Sequence, residues 1–334
     1  MQWLENRQMA GNSGPVLSAV IVTSAKNGNL RRTIAGLRKQ EMRSLLEIIL
    51  VTASTGRQIP RDLDTDCFFG VKVIELDPMT CRGEARLCGV RNASAPVVAF
   101  VEDHAYPDDG WGEALLGAHT GLRAAVGYQI CNANPESAVS WANLFLFYGP
   151  WVEHAAPAAD ILLPSENISY RRDILLQYGD SLASFFENDY VLHMDLRRRG
   201  FSLYLEPAAR LFHWNIDTYP AAVFYSYMNG VIFAAARSSR WRVARRLLYA
   251  GGSFLIPFIR APRIVGDFLR TGRGKLLPGC VPALLAGLLA GACGEMAGYL
   301  LGAAKKELLG DAGDGEASSE NGKDSRSIEL RGEC

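Results

Sequence analysis

At 334 residues and 49% hydrophobic content, the chain is long enough for one large domain or two and too apolar to be disordered or fibrous. Its 35 basic and 35 acidic residues cancel, which excludes a protein built mainly to grip nucleic acid. Seven scattered cysteines, none in a Cys-x-x-Cys pair, exclude a zinc ribbon or a disulfide framework and fit a reducing, cytoplasmic compartment.

Residues 1–15 read as a polar N-terminal arm without the apolar core of a signal peptide. Val16 to Val22 is apolar and β-branched, which predicts a first buried strand. The loop Thr23 to Asn29 carries turn formers, and a helix is expected from about Leu30 to Gln40. There Ile34 and Leu37 have core spacing, while Arg31, Arg32, Arg38 and Lys39 face water. Glu47–Val51 and Val71–Leu76 read as strands two and three, and Gly83–Asn92 as a helix. The apolar run Pro96–Val101 then ends abruptly in Glu102-Asp103-His104. Such a run predicts a strand covered on both faces, and ligands of open α/β sheets sit beyond the carboxyl ends of these strands. Oxygen ligands plus an imidazole suit a divalent cation of the Mg or Mn type, which in turn would hold a diphosphate. The competing reading has both carboxylates capping the next turn, with His104 in a surface hydrogen bond. Strands alternating with helices predict a parallel, doubly wound sheet.

Past that turn, Pro107–Trp111 opens a helix running to about His119, and Ala124–Ile130 is another strand. The aromatic-rich piece Trp141–Trp151 either packs in the core or walls an acceptor pocket, core packing being the first expectation. Asn167–Asp173 precedes a short helix, Ile174–Tyr178. A further helix begins near Asp189, shows Leu192 and Leu196 on one face, and ends in Arg197-Arg198-Arg199-Gly200. Cations in the last turn and glycine just beyond are helix-stop chemistry, so the arginine run calls for no nucleic acid. By the same logic, Asp189 alone can simply stabilise the helix start. Phe201–Leu205 and Ala209–His213 read as two short strands.

From Thr218 the character changes. Thr218–Ala236 is uncharged and apolar, Arg237, Arg240, Arg242, Arg245 and Arg246 surround Trp241, and Leu247–Ile259 is apolar again. Leu276–Gly294 is uncharged and long enough to cross a bilayer, but Pro278, Pro282 and several glycines interrupt it. Both flanks are basic (Arg273 and Lys275; Lys305 and Lys306), which favours a re-entrant or interfacial hairpin over a single crossing. Arginine and tryptophan together suit anionic headgroups. The alternative is a soluble helical subdomain packed on the sheet. Residues 310–334 are polar, charged and Gly-Ser-rich, as in a disordered tail.

Ser18–Gln40, Glu47–Gly56, Gly83–His104, Asn167–Arg172 and Asn188–His213 together resemble the family 2 glycosyltransferases of the GT-A fold. The likeness covers roughly Val16 to Asn215. It implies an α/β GT-A domain over residues 16–215, Rossmann-like, with a mostly parallel central sheet and flanking helices. Residues 216–309 would then be a helical, membrane-associated region. The implied activity is an inverting transfer of a sugar, with Mn2+ or Mg2+, from a nucleotide-sugar donor. From the C-terminal third alone, the acceptor is expected to be a hydroxyl of a lipid-linked or membrane-proximal glycan at the cytoplasmic face of the membrane.

Carried over by residue, the family's acidic metal motif falls on Glu102, Asp103 and His104. Glu102 would touch the nucleotide ribose or the metal, and His104 would ligate the cation. His213 would sit near the diphosphate and the metal. The catalytic base lands on Asp189, with Asn188 in place of the family's usual Glu. Arg86 matches the Ala-Arg element, Thr23 and Ser24 meet the nucleobase, and Trp111, Asn167, Glu187 and Asn188 fall at the acceptor and sugar pocket. Thr52 replaces the aspartate that recognises the base, Val22 replaces a proline, and Glu-Asp-His departs from the commonest metal pattern. Those departures keep a rival in view: an inactive GT-A module that binds nucleotide or glycan and scaffolds a membrane assembly. Another nucleotide-binding α/β enzyme, such as a dehydrogenase, is demoted because no Gly-x-Gly-x-x-Gly follows the first strand.

Overall fold

The computed structural model describes residues 14–23, 29–52, 63–78, 80–153, 158–159, 163–239 and 241–301. Ser24, residues 1–13 of the N-terminal arm and the 310–334 tail lie outside the described residues. The chain forms two compact units, one from residues 1–131 and 153–213, the other from 132–152 and 214–334.

The first unit opens with β1 (Leu17–Thr23), α1 (Asn29–Arg38), β2 (Leu46–Thr52), β3 (Gly70–Glu75) and α2 (Arg82–Asn92). It continues through β4 (Val97–Phe100), β5 (Ala105–Pro107), α3 (Trp111–Ala118) and β6 (Arg123–Asn132). After α4 (Ala138–Tyr148), which lies in the second unit, come β7 (Ala158–Ala159), β8 (Ile168–Arg171), α5 (Arg172–Leu176), α6 (Ser181–Phe186), α7 (Asp189–Arg198) and β9 (Ser202–His213). The strands build one sheet in the order β3-β2-β1-β4-β8-β6-β9-β5, with β7 on β9.

β2 and β4 are buried along their whole length and β1 almost so, as expected of parallel strands covered on both faces. Their register pairs Val20 with Phe100 and Thr23 with Thr52, which aligns the carboxyl ends of β1, β2 and β4. Glu47, buried in β2, accepts hydrogen bonds from Ser18 and Ser94 and pairs with Lys72, so its charge is matched.

Only part of the sheet is parallel. β8 runs antiparallel to β4 and β6, and β5 antiparallel to β9. The sequence conceals β8 because Ile168-Ser169-Tyr170-Arg171 is short and mixed in polarity. The two short strands expected at the end are one twelve-residue strand, β9. Pro207 is tolerated there because it falls between the stretch that pairs with β7 and the stretch that pairs with β5. Helix α7 stops as expected, with Gly200 at φ +86° just past its end.

The second unit consists of α4 with α8 (Tyr219–Ser238), α9 (Val243–Gly252), α10 (Ile256–Arg270) and α11 (Leu277–Leu301). Pro278 and Pro282 do not break the apolar stretch: α11 is continuous, and no hairpin interrupts it. It is the one described helix long and apolar enough to cross a membrane. α8 and α11 meet backbone to backbone. A Cβ on Gly294 would lie 2.0 Å from the Tyr227 carbonyl oxygen, and one on Gly298 would lie 2.4 Å from that of Val231. Small residues spaced by four permit this approach. The aromatic piece packs as core, with Phe145 stacked on Phe268 at 3.7 Å between ring centroids.

Candidate active site

The site grows from the carboxyl edge of the parallel strands. Just beyond β4, Thr23 Oγ1 donates to Asp103 Oδ2 at 2.7 Å, and Thr33 Oγ1 of α1 donates to the Asp103 carbonyl at 2.9 Å. Asp103 Oδ1 in turn lies 3.0 Å from His104 Nδ1. That contact sets the ring so that Nε2 is the free ligand atom, as carboxylates behind metal-binding histidines do.

Sheet register supplies the second imidazole. Ala105 pairs with His213 across β5 and β9, which brings together two histidines 109 residues apart. Their Nε2 atoms are 3.1 Å apart, and His213 Nε2 is 3.2 Å from Glu102 Oε2. One ligand atom each from Glu102, His104 and His213 lies within 4.8 Å of the others. Asn167, fully buried, donates to Glu102 Oε2 and accepts from the Glu102 backbone N–H at 3.2 Å. Two imidazole nitrogens and a carboxylate, held by outer hydrogen bonds, are a donor set that fits a divalent transition metal.

The charges are interdependent. Burial alone would lower the pKa of His104, but Glu102 and Asp103 outweigh it and bring it up to about 9. Burial works against the charge on Glu102, yet His104 and His213 hold its carboxyl well below the usual range. Glu166 is pushed up to about 7 by burial, against the pull of Arg82 and with added repulsion from Glu102. Arg82 pairs with Glu166, and its charge is reinforced first by Glu166, then by Asp189 and Glu102.

Asp189 occupies the first turn of α7 and is 2% exposed. Both its carboxylate oxygens lie 2.9 Å from Arg86 Nη1. The Arg86 guanidinium sits between the rings of Phe100 and Phe186, 4.2 and 4.3 Å from their centroids. Glu187 Oε1 accepts from the backbone N–H of Gly83 at the start of α2. Gly83 must be glycine, since a Cβ there would meet the Ala183 carbonyl at 2.1 Å. Asn188 precedes α7 without a side-chain cap bond. The Thr52 hydroxyl is buried at the end of β2 and finds no partner among the described residues.

Two residues expected at the acceptor pocket have buried side chains. Trp111 is completely buried, edge-on to Tyr128, and belongs to the core. Asn167 turns its amide to Glu102, where it positions a ligand. Two residues escape sequence reasoning altogether, Arg82 and Glu166. Glu166 adopts φ +71°, a strained conformation for a non-glycine residue that clusters at functional sites. Its only sequence signal is adjacency to Asn167.

Residues 18–175 match the family described as glycosyl transferase family 2. Similar solved structures include GalNAc-T7 with UDP, GalNAc and Mn2+, at 16% identity and a TM-score of 0.46 over 60% of this chain. The chain spans 43% of that protein's length. TarS residues 1–349 of S. aureus align at 16% identity and a TM-score of 0.44, over 88% of this chain and 91% of that one. The mannosyltransferase PcManGT from Pyrobaculum calidifontis, in complex with GDP-Man and Mn2+, aligns at 15% identity and a TM-score of 0.45, over 93% and 86%. No curated protein matches the chain in sequence.

Proposed function

We propose that the chain, whose residues 18–175 match glycosyl transferase family 2, is an inverting, metal-dependent enzyme that takes a sugar from a nucleotide-sugar donor. The observation that carries this reading is the convergence of Glu102, His104 and His213 at the sheet edge where the acidic turn follows β4. We assign these three to the metal. Two imidazoles favour Mn2+ over Mg2+, which prefers oxygen and water. A cation held there supplies Lewis acidity to the leaving diphosphate.

The chain's own groups do the rest. Asp103 and Asn167 hold the ligands in place, and Thr23 with Thr52 offers hydroxyls at the strand ends where the nucleoside would lie. Arg82, half exposed beside Glu102, offers a cation toward the diphosphate. Asp189 is the proposed base, taking the proton of the acceptor hydroxyl, with Glu187 and Asn188 beside the acceptor. A single base opposite the leaving group gives inversion. The acceptor is lipid-linked or membrane-proximal and is met at the cytoplasmic face; the membrane part of this reading is supported by the one described helix long and apolar enough to cross a bilayer.

One observation favours the inactive-module reading: Asp189 is 2% exposed and spends both oxygens on Arg86. The two readings separate on release of nucleoside diphosphate from a panel of sugar nucleotides with Mn2+. Asp189→Asn is expected to lower turnover by about 10²–10⁴-fold, the usual contribution of a positioned base. Equal turnover in the variant, or none with any donor in the wild type, would sink the proposal.

A further inference from the structure

Helices α9 and α10 carry a large apolar stripe on their exposed side. From Val243 to Arg270 they run nearly head to tail, joined by a 3₁₀ turn at Ser253–Leu255. Leu247, Leu248, Phe254, Leu255, Phe258 and Ile259 recur at the three-to-four-residue spacing of one helix face. In a soluble bundle that face packs inward. Here these six side chains are between 52% and 76% exposed.

The face that α9 and the turn after it bury in the second unit is small and polar, while α10 buries Ile264 and Phe268 on the face opposite its exposed stripe. Ala250 and Ser253 are buried on the first of these faces, Arg246 donates to the Tyr299 and Leu300 carbonyls at 2.7 Å, and Arg260 donates to the Leu146 carbonyl at 2.7 Å. Both arginines cap carbonyls within their own unit, so the orientation that leaves the stripe exposed is held by specific bonds.

The charge around the stripe is one-sided. Between Thr218 and Gly266 there are seven arginines and no acidic residue, in a chain whose total charge is zero. Arg242, Arg245 and Arg263 are exposed alongside the apolar face. Arg245 and Arg237 also stack on Trp241, at 4.1 and 5.4 Å from its ring centroid. An apolar stripe rimmed by cations, with an aromatic at one end, is the pattern of a helix lying in the headgroup plane of an anionic bilayer.

We infer that α9 and α10 dock flat on an anionic lipid surface, burying the Leu247–Ile259 stripe in one leaflet without crossing it. This deepens the membrane part of the functional reading and rests on it for biological meaning, but it is tested without turnover. The full-length chain is sedimented with preformed vesicles of phosphatidylcholine alone or with about 30% phosphatidylglycerol. Binding is expected to the anionic vesicles and to weaken as salt is raised, because surface attraction is screened.

Leu248→Glu with Phe258→Glu should reduce binding at least about tenfold, since each side chain contributes a large apolar area. Both positions are exposed, so unchanged circular dichroism and unchanged nucleotide-sugar turnover would show that fold and chemistry survive. Arg242→Gln with Arg245→Gln should remove most of the preference for anionic vesicles. Depth is read with Phe254→Trp and brominated lipids, where strongest quenching is expected from the shallow acyl positions.

Three outcomes overturn the inference: wild-type protein that ignores both vesicles, glutamate variants that bind as well as wild type, or strongest quenching from the bilayer centre. A wild-type dimer broken by the glutamate pair, with no vesicle binding, assigns the stripe to a second copy instead. Failure of turnover with intact vesicle binding would refute the enzyme reading and leave this one standing.

Discussion

The two units differ in how much apolar surface they leave uncovered. Of the 27 large apolar side chains exposed among the described residues, six belong to the first unit and 21 to the second. The first unit covers its strands on both faces and matches its buried charges, as Glu47 and the Arg86–Asp189 pair show. The second has an apolar core of its own, with Phe145, Phe268 and Tyr299 buried, yet it also leaves many phenylalanines and leucines outside. The difference lies in what each unit leaves exposed, and the inferred docking on lipid offers an apolar phase for the second unit's surplus.

The strongest way to break that comparison is to test whether the inward-facing charges of the first unit form a working site. His213→Ala removes one of three ligand atoms and should weaken Mn2+ binding, measured by calorimetric titration, beyond about 100-fold, the upper end for losing even an outer-shell partner. Unchanged affinity would show that the cluster is an ordinary hydrogen-bonded knot.

For the second unit, Gly294→Val drives a side chain into the Tyr227 carbonyl, 2.0 Å from the Cβ position. Overpacking of this kind costs about 1–3 kcal/mol. Chemical unfolding followed by tryptophan fluorescence should show it, and a shift below about 0.5 kcal/mol would mean that α8 and α11 are not tightly packed.

How much of this was legible beforehand depended on distance along the chain. The parallel strands and α1, α2 and α7 could be read because an apolar run or a helical period is a local signal. Glu102 and His104 were legible for the same reason, being adjacent at a strand end. His213 reaches them only through the β5–β9 register, which no local pattern encodes, and it entered through resemblance to a family. Arg82 and Glu166 were missed because their pairing joins the start of α2 to the loop before β8. The α9–α10 stripe shows the sharpest limit. Periodicity identifies an apolar face but is silent on which solvent that face meets.

A smaller effect tests the missed pair. Glu166→Gln removes a carboxyl group that is only partly ionised near neutral pH beside Glu102 and loosens the hold on Arg82. Partly exposed charges at this range act through a high effective dielectric, so Mn2+ affinity should fall only about three- to tenfold. Donor KM should change more than kcat, because Arg82 acts on binding. A kcat loss matching that of Asp189→Asn would instead make Glu166 the base.

The subtlest prediction concerns pH. In the metal-free protein, His104 titrates near 9, against an ordinary value of 6.5. A histidine whose pKa is raised by folding stabilises the native state fully below its unfolded pKa and loses that contribution as pH rises through the folded one. The metal-free thermal midpoint should therefore decline between about pH 6.5 and 9 relative to His104→Gln. Metal needs the neutral imidazole, so stabilisation by saturating Mn2+ should grow across the same window. The two slopes must have opposite sign. If the midpoint of the metal-free protein stays flat while that of His104→Gln is also flat, then Glu102 and Asp103 do not hold the proton on His104, and the turn is less tightly organised than its hydrogen bonds imply.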